Sequence, residues 1–202
     1  MPDLMFDEAS HVYTLGGEEL PSVTQICEPL TAGKYPVGAG VVSAAAARGT
    51  RIHELCALYD MDALPDEIEA EAVPYVSAWA AFCRDYRPEW EFVEHRMHGE
   101  LNGLPIAGTA DRIGYVDKYR RVVDIKTAQS MDRASKIALC CQLEGYAQMS
   151  EREVFMPGLG VQLMKDGTYR VHDQRKIEEK YGFDSYRLLD ELRKIYRITK
   201  GK

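Results

Sequence analysis

The stretch from Glu91 to Lys126 constrains the fold most, because it reads as three consecutive strands joined by two short turns. Glu91 to His98 alternates as a strand and turns at Leu101-Asn102-Gly103. Ile106 to Val116 is a second strand, turned by Asp117-Lys118-Tyr119-Arg120, and Arg121 to Lys126 is a third. Helical patterns flank this meander: Val41 to Tyr59 and Asp66 to Asp85 before it, Asp132 to Ser150 after it. Gly160 to Met164 and Tyr169 to His172 form a hairpin around Lys165-Asp166-Gly167-Thr168, and a last helix runs from Asp184 to Arg197. Before all of these, Phe6 to Leu20 reads as a small hairpin, Ser22 caps a short helix, and Gly33 to Gly40 reads as a loop. The order predicts an α/β fold, one central mixed β-sheet flanked by helices. A single domain over 1–202 is expected, with the hairpin and short helix in 1–40, the core in 41–172 and the C-terminal helix in 173–202.

The third strand carries the chemistry. Asp124 and Lys126 are two apart, so both leave one face of the strand, while Val123 and Ile125 point into a core on the other. A charged pair on a strand that is otherwise apolar breaks the local pattern, as functional sites do. If the hairpin closes around Asp117 to Arg120, Asp111 falls opposite Asp124 or one diagonal step away. Two such carboxylates repel unless a cation lies between them, and oxygen ligands suit a hard divalent ion, Mg²⁺ or Mn²⁺. Read without that pattern, the two acids would be solubilising charges of an edge strand.

Gly108-Thr109-Ala110-Asp111, Asp124-Ile125-Lys126 and Gln142-Leu143-Glu144-Gly145-Tyr146 together resemble the PD-(D/E)XK nuclease superfamily, and within it the RecB-like and phage exonuclease branch. Arg48-Gly49-Thr50-Arg51-Ile52-His53 is similar to that branch's RGT-x-x-H helix motif, and Glu94 to the glutamate of its first strand motif. The opening, Phe6-Asp7-Glu8 with His11-Val12-Tyr13 and Pro21-Ser22-Val23-Thr24, resembles the leader of phage-encoded members. The resemblance implies a restriction-endonuclease-like core. It makes Asp111, Asp124, His53 and the Ile125 carbonyl metal ligands, and Lys126 the group that positions and activates water. Glu94 would hold a second metal or a metal-bound water. Gln142 and Tyr146, at i and i+4 on one helix face, would orient Lys126 or the DNA strand. Arg48 and Arg51 would add positive charge from the neighbouring helix. No cysteine follows Cys141, so the three-cysteine cluster of iron–sulfur members is not expected.

Charge and composition trim the alternatives. Thirty-two acids against twenty-five bases give a formal charge of −7, which argues against a generic nucleic-acid-coating protein. Locally, Gly108 to Lys136 carries seven bases against four acids, two of them the expected ligands. The acidic stretch Asp60 to Glu71 is expected to face away from DNA. The apolar run Val37 to Ala47 is too short for a membrane span, the start lacks a basic export signal, and the five cysteines read as reduced thiols of a cytoplasmic protein. The expectation is a metal-dependent DNA nuclease of phage or prophage type, an exonuclease on linear DNA, working with a phage annealing or recombination protein. A non-catalytic nucleic-acid-binding module on the same fold, and a structure-specific or RNA-directed endonuclease, are the alternatives.

Overall fold

The computed structural model describes residues 3–8, 10–32, 39–150 and 156–200. Two sheets form. The larger has the strand order β4-β5-β6-β7-β8, built from Glu89–Leu101, Leu104–Val116, Tyr119–Lys126, Leu159–Leu163 and Tyr169–Asp173. β4, β5 and β6 are antiparallel neighbours, as the meander predicts. Both turns are two-residue hairpins with two left-handed residues each: Asn102 (φ 46°) with Gly103 (79°), and Asp117 (51°) with Lys118 (69°). Such turns match the twist of the strands that they join, and so fix the register. β7 then pairs parallel with β6, after the crossover helix α4 (Arg133–Met149), and β8 returns antiparallel.

The N-terminal segment differs from the expected hairpin. Leu4–Asp7 (β1) adds a third strand to Val12–Leu15 (β2) and Glu18–Leu20 (β3), making a separate antiparallel sheet. Its four residues alternate half-buried with exposed and carry only a weak strand signal. Ser22 does cap α1 (Val23–Cys27), in a reciprocal box with Gln25. The loop expected over Gly33 to Gly40 lies outside the described residues as far as 38, and residues 39 and 40 already belong to α2 (Ala39–Asp60). The next helix, α3 (Val73–Tyr86), starts later than predicted because Pro74 is tolerated only in a first turn. The C-terminal region holds two helices instead of one. α5 (Gln174–Tyr181) is short and polar and buries only Gln174 and Ile177; α6 (Ser185–Lys200) follows.

Helices cover both faces of the large sheet. One core joins α1, α4 and α6 to β4, β5 and β6 through Ile26, Leu143, Leu189, Met97, Ile106 and Val122. The other joins α2 and α3 to β6 and β7 through Ile52, Trp79, Val123, Ile125 and Val161. Val122 and Val123 of β6 thus enter opposite cores, between Arg120 and Arg121 at the start of the strand and Asp124 and Lys126 at its outer end. No helix among the described residues is long and apolar enough to cross a membrane.

Candidate metal centre

The site forms where β5 and β6 part. Their paired register runs from Val116–Tyr119 to Arg112–Val123 and stops there. One step further, Asp111 and Asp124 would face each other. Instead the Asp111 side chain takes the place of a backbone acceptor: the Ile125 N–H donates to Asp111 Oδ2 at 2.6 Å. Within an extended strand, a residue's N–H and C=O leave on the same side. The Ile125 carbonyl therefore opens on the Asp111 side.

Glu94 reaches the same place from β4. Val93 pairs with Arg112 and His95 with Ala110, which sets Glu94 across from Asp111. Its backbone is left-handed, φ 50°, a conformation that costs a non-glycine residue energy and that concentrates at functional sites. From α2, His53 brings Nδ1 to 3.4 Å from Asp111 Oδ1. One ligand atom from each of His53, Glu94 and Asp111 lies within 4.8 Å of the others. Among the described residues this trio, one imidazole nitrogen and two carboxylates, stands close enough together to share one small cation.

The grouping differs from the sequence expectation. There Glu94 stood apart and Asp124 shared the ion with Asp111. Here Glu94 joins His53 and Asp111, while Asp124 Oδ2 stands 2.8 Å from Lys126 Nζ. The Asp124 carboxylate is buried, and this ammonium is its close charge partner. Gln142 Oε1 accepts from Lys126 Nζ at 3.0 Å, so the expected contact between the helix motif and the lysine is present. Gln142 Nε2 in turn reaches Thr24 Oγ1 of α1 at 3.5 Å.

Tyr146 packs where the Gly-x-x-Asp motif needs a glycine: a Cβ on Gly108 would stand 2.8 Å from its ring. Arg48 is exposed on α2. Arg51 is held by two acids, Glu69 at 2.9 Å and Glu54 at 3.1 Å, which occupies the charge that was expected to meet DNA.

Two residues outside the expected set complete the centre. Arg112 is fully buried, and its Nε donates to Asp60 Oδ2 at 2.6 Å. Its Nη1 donates to Glu94 Oε1 at 3.1 Å and to the Asp111 carbonyl at 2.5 Å. The guanidinium lies over the Trp79 ring, 5.4 Å from its centroid, and Trp79 Nε1 donates to Asp60 Oδ1 at 3.0 Å. Asp60 is thus not one of the solvated acids of the Asp60–Glu71 stretch; its side chain is 2% exposed and turned inward. Arg112 was visible in the sequence as a charge beside Asp111 on an apolar strand. Asp60 gave no signal, because it ends α2 at the head of an acid-rich stretch.

Proximity sets the protonation balance. Burial pulls the His53 pKa down, but Asp111, then Glu94 and Asp124, outweigh it and raise the pKa above the ordinary histidine value. Asp111 is held below the usual carboxylate range: burial opposes this, and His53, Lys126 and the Ile125 N–H overcome it. Glu94 and Asp124 move up, by burial first and by the negative charge of Asp111. For Lys126, burial favours the neutral amine, but Asp124 and Asp111 raise its pKa, so it stays an ammonium.

No protein-family model matches the chain, and no curated protein does. Among solved structures it is similar to the crystal structure of SSO0001, at 17% identity over 86% of this chain and 84% of that one, with a TM-score of 0.33. A likeness that distant carries no inference about chemistry.

Proposed function

We propose that the chain is a Mg²⁺- or Mn²⁺-dependent deoxyribonuclease that hydrolyses phosphodiester bonds. The observation that carries this reading is the His53–Glu94–Asp111 trio, within 4.8 Å of one another, on the same outer sheet end as the Asp124–Lys126 pair. The donor set fits a divalent ion, held by His53, Glu94 and Asp111 with the Ile125 carbonyl and Asp124 at hand. Such an ion supplies Lewis acidity, acidifying a water and neutralising charge on the phosphate.

The chain's own groups do the rest. Lys126, an ammonium fixed by Asp124 and Gln142, is a donor and not a base. It holds the attacking water by its oxygen or steadies a phosphate oxygen as charge builds. In the overall reaction, water oxygen bonds to phosphorus, the P–O3′ bond breaks, and O3′ leaves as a hydroxyl with a proton from water. The products are 5′-phosphate and 3′-hydroxyl ends. Arg112, itself held by Asp60, fixes the Glu94 carboxylate.

The resemblance to the RecB-like and phage exonucleases extends the proposal to attack from the ends of linear DNA in the cytoplasm, alongside a phage annealing or recombination protein. Digestion of end-labelled linear duplex, single strand and closed circle tests it. Linear substrates should be degraded with Mg²⁺ and left intact with EDTA, and circles should survive. Equal turnover in EDTA, or no cleavage of any substrate with either ion, would refute the hydrolytic reading. Nicking of circles would favour an endonuclease.

A further inference from the structure

We infer that the cleft between α2 and the N-terminal sheet seats an unpaired DNA strand, its bases stacked on Phe6 and His11. This rests on the nuclease reading for the identity of the polymer and goes beyond it in choosing single strand over duplex. The cleft holds about 780 Å³, and His53 and Glu94, two of the three ligand candidates, form part of its lining. A chain lying in it therefore meets the metal centre directly.

One wall is aromatic. The Phe6 ring lies 4.5 Å from that of Tyr13 and 5.8 Å from that of His11. The Arg96 guanidinium covers Phe6 at 5.2 Å from its centroid. This shelf is tied to the catalytic strands, because the Tyr13 hydroxyl and Thr109 Oγ1 share a hydrogen bond of 2.8 Å two residues before Asp111. The α2 side of the cleft offers the small side chains Ala47 and Thr50, which leave room for a flat ring. Planar rings and a guanidinium beside open space are what unstacked bases pack on, whereas a duplex keeps its base faces covered.

The charges of the cleft point the same way. Beyond the ligand trio, Arg51 and Arg96 face Glu8 and Glu54, and both arginines are already paired: Arg96 with Glu8 at 3.3 Å, Arg51 with Glu54 at 3.1 Å. A duplex held by its phosphates needs a basic track, and its affinity falls steeply with salt. A nearly neutral aromatic cleft binds by stacking, so its salt dependence is shallow.

The test is fluorescence anisotropy of labelled single-stranded and blunt duplex oligonucleotides in Ca²⁺ across a salt series, for the full chain and for Phe6→Ala, Phe6→Trp and His11→Asn. Asparagine tolerates the left-handed backbone at His11 (φ 52°), so that variant keeps the turn. The single strand should bind about tenfold tighter than the duplex, and Phe6→Ala should weaken it about five- to tenfold, with Phe6→Trp restoring it. His11→Asn should weaken it as well, while Mn²⁺ binding at the trio is unchanged in all three. Duplex bound as well as single strand, or unchanged binding by both Phe6→Ala and His11→Asn, would overturn the assignment. Mg²⁺-dependent cleavage by the parent chain is measured alongside. Cleavage present with unaltered variant binding sinks the cleft alone. Cleavage absent with the variant losses intact sinks the nuclease reading and leaves the strand-binding cleft standing.

Discussion

Arg112 and Asp60 meet at 2.6 Å inside the core between the sheet and α3, and the same guanidinium reaches Glu94 at 3.1 Å. A buried ion pair thus sets the position of a ligand candidate. Removing one partner of such a pair strands the other charge in a place with little water. Asp60→Ala is therefore expected to lower stability by about 3–5 kcal/mol, measured by urea denaturation. Asp60→Asn keeps hydrogen bonding and should cost less, while still weakening Mn²⁺ binding through a loosened Glu94. Unaltered stability of Asp60→Ala would show that the pair is dispensable.

Lys126→Ala is expected to cut turnover by about 10²–10⁴-fold while leaving Mn²⁺ binding nearly intact, because Lys126 is a donor beside the trio and not part of it. Calorimetry with Mn²⁺ and a cleavage assay on the same preparation separate the two effects. Loss of metal binding with cleavage preserved would reverse the assignment.

Gly108 lies beneath the Tyr146 ring with no room for a methyl group. Gly108→Ala should push that ring aside and cost about 1–3 kcal/mol by overpacking, read from a thermal or denaturant melt. A melt identical to the parent's would mean that the ring has slack which the structure does not display.

Protons should compete with the metal. A cation needs neutral His53 and ionised Glu94, and both pKa values are raised in the folded protein. Metal affinity should therefore fall as pH falls through those raised values. The stability sign for His53 is the opposite. In the metal-free protein its contribution is complete below the unfolded value and is lost as pH rises through the folded one. Saturating Mn²⁺ should then raise Tm more at about pH 8 than at about pH 6, near the unperturbed histidine value. A larger rise on the acidic side would contradict the assignment of these groups as ligands.

Much of the sheet was legible because its signals are local. Asn102-Gly103 favours a left-handed turn, and Asp117-Lys118-Tyr119-Arg120 reads as the second turn, although Tyr119 and Arg120 pair within β6 and only Asp117 and Lys118 turn; the two-residue spacing of Asp124 and Lys126 puts them on one face, where they meet. The helix motif was legible for the same reason, since i and i+4 share a face. What escaped depends on long-range contacts. Asp60 lies among acids that belong in solvent, and only the fold shows it under Trp79, bonded to an arginine 52 positions on. The backbone of Glu94 inverts inside a strand, so simple alternation misplaces its side chain and hid its membership of the trio. α5 has too few buried residues to announce itself, and β1 gains its partner only from β2.

The central claim is one divalent ion held by His53, Glu94 and Asp111 and used to cut DNA. Electron paramagnetic resonance of bound Mn²⁺, with cleavage of end-labelled DNA in the same samples, compares the parent chain with Asp111→Asn most directly. The account predicts tightly bound Mn²⁺ and cleavage in the parent, and loss of both in Asp111→Asn. An Asp111→Asn protein that binds Mn²⁺ and cuts DNA like its parent would contradict it.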